Sequence, residues 1–441
     1  MKKALTVAAS VVVVSSLLAG CGSQNTPAGT TTPANSNAAA ASKAPAKDVK
    51  LTFSIWGSDA HKKMYEDLIA NYKKIKPNVS VEIMTIPAAD YQQKISVMMA
   101  SKTAPDIMWM LERAIPQFLT ADQIEDISAI KTDAAYDFKD VIPSTLDLVT
   151  KNDKLYGVPF STPPNMIYYN KNLFKEKGLK TPTELYKEGN WTYEEMAKAA
   201  QAIAQPDKGV YGFNLIRPAG WGASWIESLQ TLVWANGADF FSKDGKKFTL
   251  NSPEGQKALQ FFSDAMFKTK IHPKPGDQTT FESGKIGMQQ DLLSYMGKAK
   301  AIKDFVWDIA PMPKGSGGQG TTLGYAAYMV TKGSPNAAEA VEFLKFLSSK
   351  ENMTVTSQYF VPGRKSVLES DGFLKQGPSP ESMKTAVLDQ MAQGRVRQGF
   401  QNFQKIDDKM KLHFDAIYTQ AGTIPDILKK MEQDVSPILA Q

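Results

Sequence analysis

The sequence predicts an α/β fold divided into two lobes. From residue 50 to residue 110, short strand patterns alternate with amphipathic helices, and this order favours a parallel sheet with helices on its faces. Residues 48–441 have ordinary hydrophobic and charged fractions, but they exceed the usual length of a single hydrophobic core. We detect no internal repeat in them, so two lobes are expected.

The elements follow from the periodicity of the side chains. Polar and apolar residues alternate from Lys50 to Trp56, as in a strand with two distinct faces, and apolar residues recur at helical spacing from Met64 to Tyr72. In the first stretch, residues 50–110, strands are predicted over 50–56, 79–83 and 107–110, and helices between them over 64–72 and 91–101. Further strands are predicted over 155–160, 166–171 and 211–215, and helices over 173–177, 292–300, 337–349 and 424–439.

Two tryptophans lie at the carboxyl ends of predicted strands, where such sheets bind ligands. Ligands of a parallel sheet lie beyond the carboxyl ends of its strands. Trp56 with Asp59, and Trp109 with Glu112, each place an aromatic ring beside hydrogen-bonding groups there. The alternative is that both rings cap the core and that Asp59 is a helix N-cap. Farther along, Thr192 and Glu195 have capping-box spacing, which favours a structural role for neighbouring Trp191.

The N-terminus resembles a bacterial lipoprotein signal. A basic start and an apolar run from Ala4 to Leu18 precede Ala19-Gly20-Cys21, and the run is too short to span a bilayer. We expect residues 1–20 to be a signal peptide and Cys21 to be acylated, which places the chain on the outer face of the cell membrane, or on the periplasmic side if two membranes are present. An ordinary secretory signal is the alternative. Cys21 is the only cysteine, so no thiol remains for catalysis or a disulfide.

Residues 21–47 are expected to form a disordered tether. They are almost entirely small or polar, contain no aromatic residue and cannot bury enough apolar surface to fold. A flexible chain of this length has an end-to-end distance of roughly 25–30 Å. We therefore expect a folded domain that is held near a membrane and can reorient.

Charge and motifs argue against several classes of function. The formal net charge is +6, and basic residues are scattered among acidic ones, so nucleic-acid binding is not supported. His61, His272 and His413 are widely separated, which gives no support to a zinc site. Residues 315–320 fit the spacing G-x-G-x-x-G, but they lack the preceding strand and following helix of a dinucleotide loop, and we interpret them as a flexible loop. No cofactor is expected.

Several segments stand in a specific order and spacing along the chain. Besides the lipoprotein signal, they are 53–56, 90–106, 155–159, 168–174, 281–288, 307–313 and 361–366. Together they resemble the extracellular solute-binding proteins of bacterial ABC importers, in the family of maltose and other oligosaccharide binders. The resemblance implies a periplasmic-binding-protein-like fold in which two lobes close around a ligand in the cleft between them. It places hinge crossings near 159–165, 310–314 and 359–364.

The resemblance also implies an organisation and a set of partners. Residues 48–160 and 312–352 would form lobe 1, and residues 161–311 and 353–441 would form lobe 2. The protein would be a monomer that binds a carbohydrate, expected to be an oligosaccharide, and would deliver that ligand to the permease subunits of an ABC transporter. An enzyme is not expected.

Sugar recognition gives a reason for the residue types expected in the cleft. A pyranose ring stacks its C–H face on aromatic rings, and its hydroxyls bind carboxylates, amides and guanidinium groups. The expected ligand-binding residues are Trp56, Asp59, Trp109, Glu112, Asn165, Arg217, Trp221, Trp225, Asp291, Tyr325 and Arg364, with Phe403 as a weaker candidate. The alternative interpretations are that Trp225 belongs to a buried helical face and that Asp291 is a helix N-cap. Arg113 and Arg217 suggest an acidic sugar as the ligand.

Other ligands and an enzymatic activity were considered. Tyr168-Tyr169 has the form of a ferric-ion site, but adjacent side chains of a strand point to opposite faces. Polyamines and peptides remain alternative ligands. A glycoside hydrolase would need a pair of carboxylates, which the abundance of acidic residues does not forbid, although the G-x-S-x-G elbow of another hydrolase class is missing from the sequence.

Overall fold

The computed structural model describes residues 47–88, 90–216, 225–396, 399 and 402–440, which belong to one compact unit, Lys47–Gln441. Cys21 and the expected signal peptide and tether lie outside the described residues. The strands are β1 (Val49–Ile55), β2 (Val79–Thr85), β3 (Ile107–Leu111), β4 (Thr150–Lys151), β5 (Lys154–Leu155), β6 (Val158–Ser161), β7 (Asn165–Asn170), β8 (Tyr211–Asn214), β9 (Ile286–Leu292), β10 (Trp307–Pro311), β11 (Lys314–Gly315), β12 (Gly318–Gln319), β13 (Thr322–Leu323), β14 (Ala326–Val330) and β15 (Arg395–Val396).

The described residues form seventeen α-helices. They are α1 (Asp59–Ile75), α2 (Tyr91–Ala100), α3 (Ile115–Thr120), α4 (Lys171–Glu176), α5 (Pro182–Lys187), α6 (Tyr193–Ile203), α7 (Trp225–Ala235), α8 (Pro253–Phe267), α9 (Met296–Ala301), α10 (Ala337–Leu347), α11 (Lys350–Thr356), α12 (Lys365–Leu368), α13 (Asp371–Leu374), α14 (Pro380–Met383), α15 (Asp389–Gln393), α16 (Phe403–Tyr418) and α17 (Ile424–Leu439).

The first sheet has the strand order β2-β1-β3-β14-β6. Strands β1, β2 and β3 are mutually parallel, which confirms the prediction made from the first stretch, whereas β14 is antiparallel to both β3 and β6. Phe53 on β1 makes an edge contact with Tyr65 of α1 at 5.2 Å and another with Phe343 of α10 at 6.0 Å. Helices near the start and toward the end of the chain therefore pack on the same sheet.

The second sheet has the strand order β10-β7-β9-β8. Strand β7 is antiparallel to both neighbours, and β8 is parallel to β9. The adjacent residues Tyr168 and Tyr169 of β7 belong to different apolar cores, on opposite faces of this sheet. Two sheets with separate cores give the two lobes expected from chain length.

The chain passes between the sheets at segments that contact one another. Residues 161–165 lead directly from β6 of the first sheet to β7 of the second. Their backbone is bonded to two other crossings, because the N–H of Thr162 donates to the carbonyl of Val361 at 3.0 Å and the N–H of Gly324 donates to that of Pro163 at 2.8 Å. The second crossing therefore lies near 323–325, about ten residues beyond the predicted 310–314.

The glycine-rich segment 315–320 explains why the second crossing lies later in the chain than predicted. This segment is a β-hairpin of β11 and β12 rather than the flexible loop expected from its composition. At Gly320, a Cβ atom would overlap the backbone carbonyl of Thr231 on α7, and Gly315 meets Ala235 in the same way. The glycines allow the hairpin to pack against α7 of the second lobe, so the chain returns to the first sheet only after residue 323.

We predict that Gly320→Ala lowers the free energy of unfolding by about 1–3 kcal/mol, because the added methyl group forces the hairpin away from the α7 backbone. Urea unfolding followed by circular dichroism measures the change. Gly297→Ala is the matched control: no atom lies within 4 Å of the added Cβ, and the site is inside α9, so this variant should be as stable as the parent or more stable. Equal stability of Gly320→Ala and the parent would contradict the packing role.

Candidate functional site

At the crossings, the strand ends of one sheet lie next to the strand ends of the other. We call each row of strand ends the edge of its sheet. In the first sheet, the start of β14 pairs with the ends of β3 and β6, because Ala326 lies opposite both Leu111 and Ser161. In the second sheet, the start of β7 pairs with the ends of β9 and β10, where Met166 lies opposite Asp291 and Pro311. Since residues 161–165 join these two edges, the loops beyond both edges flank a common region.

An aromatic cluster marks this edge of the first sheet. The ring of Trp56, just beyond β1, makes edge contacts with Trp109 at 4.7 Å and with Tyr91 at 4.8 Å. Trp109 is only 1% exposed and also packs against Phe160 at 4.8 Å. Trp56 is partly buried and is the outermost of these rings. Trp109 therefore supports Trp56 from the core side, and Trp56 is the ring that a ligand can reach.

Two carboxylates are buried near the strand ends. Glu112 follows β3 and is 3% exposed. Asp291 is 6% exposed and lies within β9, so its interpretation as a helix N-cap is wrong. Its Oδ1 accepts the N–H of Leu292 at 2.9 Å, and its Oδ2 accepts the amide N–H of Gln289 at 3.3 Å. Asp291 is thus fixed by its own strand at the edge of the second sheet.

Asn165 and Tyr325 lie on the crossings, and both contact protein atoms. The amide of Asn165 donates to the hydroxyl of Thr322, which connects the first crossing to the second. The hydroxyl of Tyr325 donates to the carbonyl of Thr145 at 2.8 Å. Burial raises the pKa of Tyr325 well above its usual value, and the nearby carboxylates of Asp147 and Glu112 add to this. Tyr325 therefore stays a neutral phenol that ties the crossing to the first lobe.

Arg364 is the last residue of the third crossing, and its side chain is held by protein acceptors. Its Nε donates to the carbonyl of Ser348 at 2.7 Å, and its two Nη atoms donate to the carbonyls of Tyr136 at 2.8 Å and Asp137 at 3.0 Å. Asp140 completes the set with an ion pair at 3.4 Å. Because the guanidinium is 1% exposed and its donors face protein acceptors, we reassign Arg364 from ligand binding to holding the third crossing.

The remaining candidates are placed as follows. Asp59 is exposed as the first residue of α1, whose N-cap is Ser58, so the N-cap interpretation of Asp59 is wrong by one position. Arg113 is partly buried in the turn after β3, and Phe403 is partly buried at the start of α16. Trp225 is the first residue of α7, but its side chain lies outside the described residues, as do Arg217 and Trp221.

Polar residues on the second sheet were missed from the sequence. Gln290 accepts a hydrogen bond from Thr231 of α7 at 2.9 Å, and Gln289 contacts Asp291. Asn214, opposite Gln289 at the end of β8, is fully buried, and neither of its amide atoms has a hydrogen-bond partner among the described residues. The available signal was the run Gln289-Gln290-Asp291, which is unusually polar for a buried strand.

A buried histidine fixes the end of β8. The Nε2 of His272 accepts the backbone N–H of Leu215 at 2.9 Å and lies 3.5 Å from that of Ile216, and its Nδ1 donates to the carbonyl of Pro273 at 2.6 Å. The neutral imidazole with the proton on Nδ1 satisfies this pattern. Burial lowers the pKa of His272 from 6.5 to about 4, a shift that the Pro273 carbonyl opposes. Leu215 and Ile216 are the last described residues before Arg217.

The iron alternative receives no support from the two adjacent tyrosines. Tyr168 donates to the carbonyl of Leu292 at 3.1 Å, and Tyr169 shares a hydrogen bond with Thr183 at 2.9 Å in a different core. In the part of the chain that the structure describes, no group of three or more His, Cys, Asp or Glu residues could hold a metal ion. The same residues include no helix long and apolar enough to cross a membrane.

We predict that His272 makes stability fall as the pH decreases from about 6.5 toward 4. Over this range the unfolded chain takes up a proton that the folded histidine rejects, so acid favours unfolding; the full cost is about 3 kcal/mol. Urea unfolding at pH 7.5 and pH 4.5 should show the parent losing about 2–3 kcal/mol more than His272→Gln, which keeps a hydrogen-bond acceptor but does not titrate. Identical pH dependence of the two proteins would contradict this assignment.

Comparisons with known proteins place this architecture in context. A family model described as bacterial extracellular solute-binding protein matches residues 57–354. The chain is similar to the mannitol-binding protein of Pseudomonas aeruginosa, with 30% identity over 176 residues, which are 38% of this chain and 37% of that relative. It is also similar to the arabinooligosaccharide-binding protein of Bacillus subtilis, with 24% identity over 324 residues, 69% of this chain and 70% of that relative.

A solved structure shows the same fold. The ABC substrate-binding protein Lmo0181 from Listeria monocytogenes, determined in complex with cycloalternan, aligns with a TM-score of 0.77 and 21% sequence identity. The alignment covers 89% of this chain and 99% of that chain. This likeness confirms the two-lobed α/β fold predicted from the sequence.

Proposed function

Because this chain belongs to the bacterial extracellular solute-binding protein family, we propose that it binds a carbohydrate outside the cytoplasm and delivers it to the permease subunits of an ABC transporter. The observation that carries the proposal is the region between the two sheet edges. Trp56, a partly buried ring, packs against Trp109 just beyond β1, and Gln289 donates a hydrogen bond to Asp291 near the end of β9. An aromatic ring together with planar polar groups suits the C–H face and hydroxyls of a sugar.

The relatives support a ligand rich in hydroxyl groups. One is named for mannitol and another for arabinooligosaccharides, and the similar solved structure contains cycloalternan. All three ligands present many hydroxyls at fixed spacing. We therefore propose a saccharide, including its acidic derivatives, as the ligand of this chain, bound without chemical change by a two-lobed monomer.

We predict that Trp56→Ala weakens saccharide binding at least tenfold, because the ring supplies the apolar face of the site. Isothermal titration of the purified chain with a panel of polyols and of neutral and acidic oligosaccharides measures affinity, and chromatography of the same mixtures detects any cleavage. Trp307→Ala is the matched control. Trp307 is the first residue of β10, at the opposite end of the strand from the crossings, so its loss should change affinity less than about twofold.

Two outcomes would contradict the proposed function. One is that no saccharide or polyol in the panel binds. The other is turnover, with product exceeding the amount of protein, which would indicate an enzyme. Tight binding that is unchanged in Trp56→Ala would keep the function but would remove this ring from the site.

We further propose that Cys21 carries a lipid and that residues 22–47 tether the domain to the outer face of the membrane. The sequence before Cys21 and its status as the only cysteine support this. Cys21→Ala should shift the protein from the membrane fraction to the soluble fraction or leave it unprocessed, and it should abolish incorporation of labelled palmitate. The saccharide affinity of the purified variant should equal that of the parent. Unchanged membrane association and labelling would contradict the lipid anchor.

A further inference from the structure

A tryptophan of α7 is buried beneath an arginine instead of within a core. Leu232 and Val233 belong to the core of the second lobe, but the next residue, Trp234, is outside the three apolar cores formed by the described residues, although it is only 6% exposed. The guanidinium carbon of Arg395 lies 4.0 Å from the centroid of the Trp234 ring. The indole thus serves as a platform that fixes an arginine by a cation–π contact.

Both members of this pair have unused hydrogen-bond donors. Arg395 is exposed, and the described part of the chain provides its guanidinium with no ion pair and no hydrogen bond. The Nε1 of Trp234 is buried and likewise has no partner among the described residues. A guanidinium carries five N–H groups in a planar fork that matches an oxyanion, and stacking on an aromatic ring leaves the edge of the fork free to bind one.

The pair lies beside the crossings. Arg395 begins β15, which pairs with β13 immediately before the second crossing. Val396 packs against cores of both lobes, so the alternation of a strand directs Arg395 to the other face. Four residues later, Gly399 is so close to Glu112 that a Cβ atom would lie 2.5 Å from the Glu112 carbonyl oxygen. Four residues span at most about 14 Å, which keeps Arg395 near the edge of the first sheet.

We propose that Arg395, positioned by Trp234, binds an anionic group of the ligand, either a carboxylate or a phosphate attached to the saccharide or polyol. This inference rests on the proposed function and specifies the charge of its ligand. Charge-assisted bonds from a guanidinium are stronger than neutral ones, and a stacked guanidinium has less freedom to lose on binding. Arg395 therefore distinguishes an acidic ligand from its neutral counterpart.

The test compares matched ligands on the purified full chain. One pair is digalacturonate and its carboxyl-reduced form, and the other is mannitol 1-phosphate and mannitol. In isothermal titration we expect the anionic member of at least one pair to bind about tenfold or more tightly than its neutral member. The pair that shows the preference distinguishes a carboxylate from a phosphate. Arg395→Met should bring this ratio close to one while changing affinity for the neutral member less than about twofold.

Three further variants sharpen the test. Arg395→Lys should keep part of the preference, since it retains the charge but not the fork. Trp234→Leu should reduce the preference although Arg395 is intact, because the platform is lost. Lys73→Met, on the exposed side of α1, removes the same charge elsewhere and should leave the ratio unchanged.

The outcomes separate this inference from the proposed function. Neutral members that bind as tightly as anionic ones would overturn the role of Arg395 and leave the carbohydrate-binding function intact. A preference that survives in Arg395→Met would also overturn it. If no member of either pair and no saccharide in the wider panel binds, the proposed function fails, and the anion-binding inference fails with it.

Discussion

The hydrogen bonds among the crossings are the constraint on which the rest of the structure depends. The segment 161–165 is bonded through Thr162 to the third crossing and through Pro163 to the second. Asn165 adds a side-chain bond to Thr322. Because these bonds hold the strand ends of one sheet against those of the other, the loops beyond both edges must flank the same region. Closure of the lobes has to be absorbed by backbone rotation within these few residues, as in other hinged two-lobed proteins.

The parts of the fold that depend on local sequence could be predicted. The alternation of polar and apolar residues in β1 and the helical spacing of apolar residues in α1 show directly which face of each element is buried. The parallel direction of the first three strands follows from the short connections between them. The helix predicted over 424–439 coincides with α17 for the same reason, since its apolar stripe is continuous. These elements are determined by residues close together in the chain.

Errors arose where distant residues decide the outcome. The glycine-rich composition of 315–320 fits both a flexible loop and a hairpin packed against a helix. Only the position of α7 distinguishes the two. Asp291 follows two glutamines that suggest the end of a strand, yet the strand continues because Asp291 and Leu292 pair with Met166 and Asn165 of β7. As an arginine at a predicted crossing, Arg364 was expected to bind the ligand. Its guanidinium instead donates to the carbonyl of Ser348 and to carbonyls more than two hundred residues earlier in the chain.

The tryptophans suggest the class of ligand, but their presence in the sequence does not show which of them form the binding site. Trp191 is buried, and its Nε1 donates to Pro311, as its neighbouring helix cap suggested; Trp109 supports a second ring; Trp234 supports a cation. In each case the role is set by the group that contacts the ring, and that group comes from a distant part of the chain. Arg395 is the instructive example, because it was not singled out in the sequence and becomes significant only when β15 brings it over Trp234 beside the second crossing. Because Arg395 lies beside a crossing and in neither main sheet, its charge can be changed without disturbing the strand pairing of either lobe.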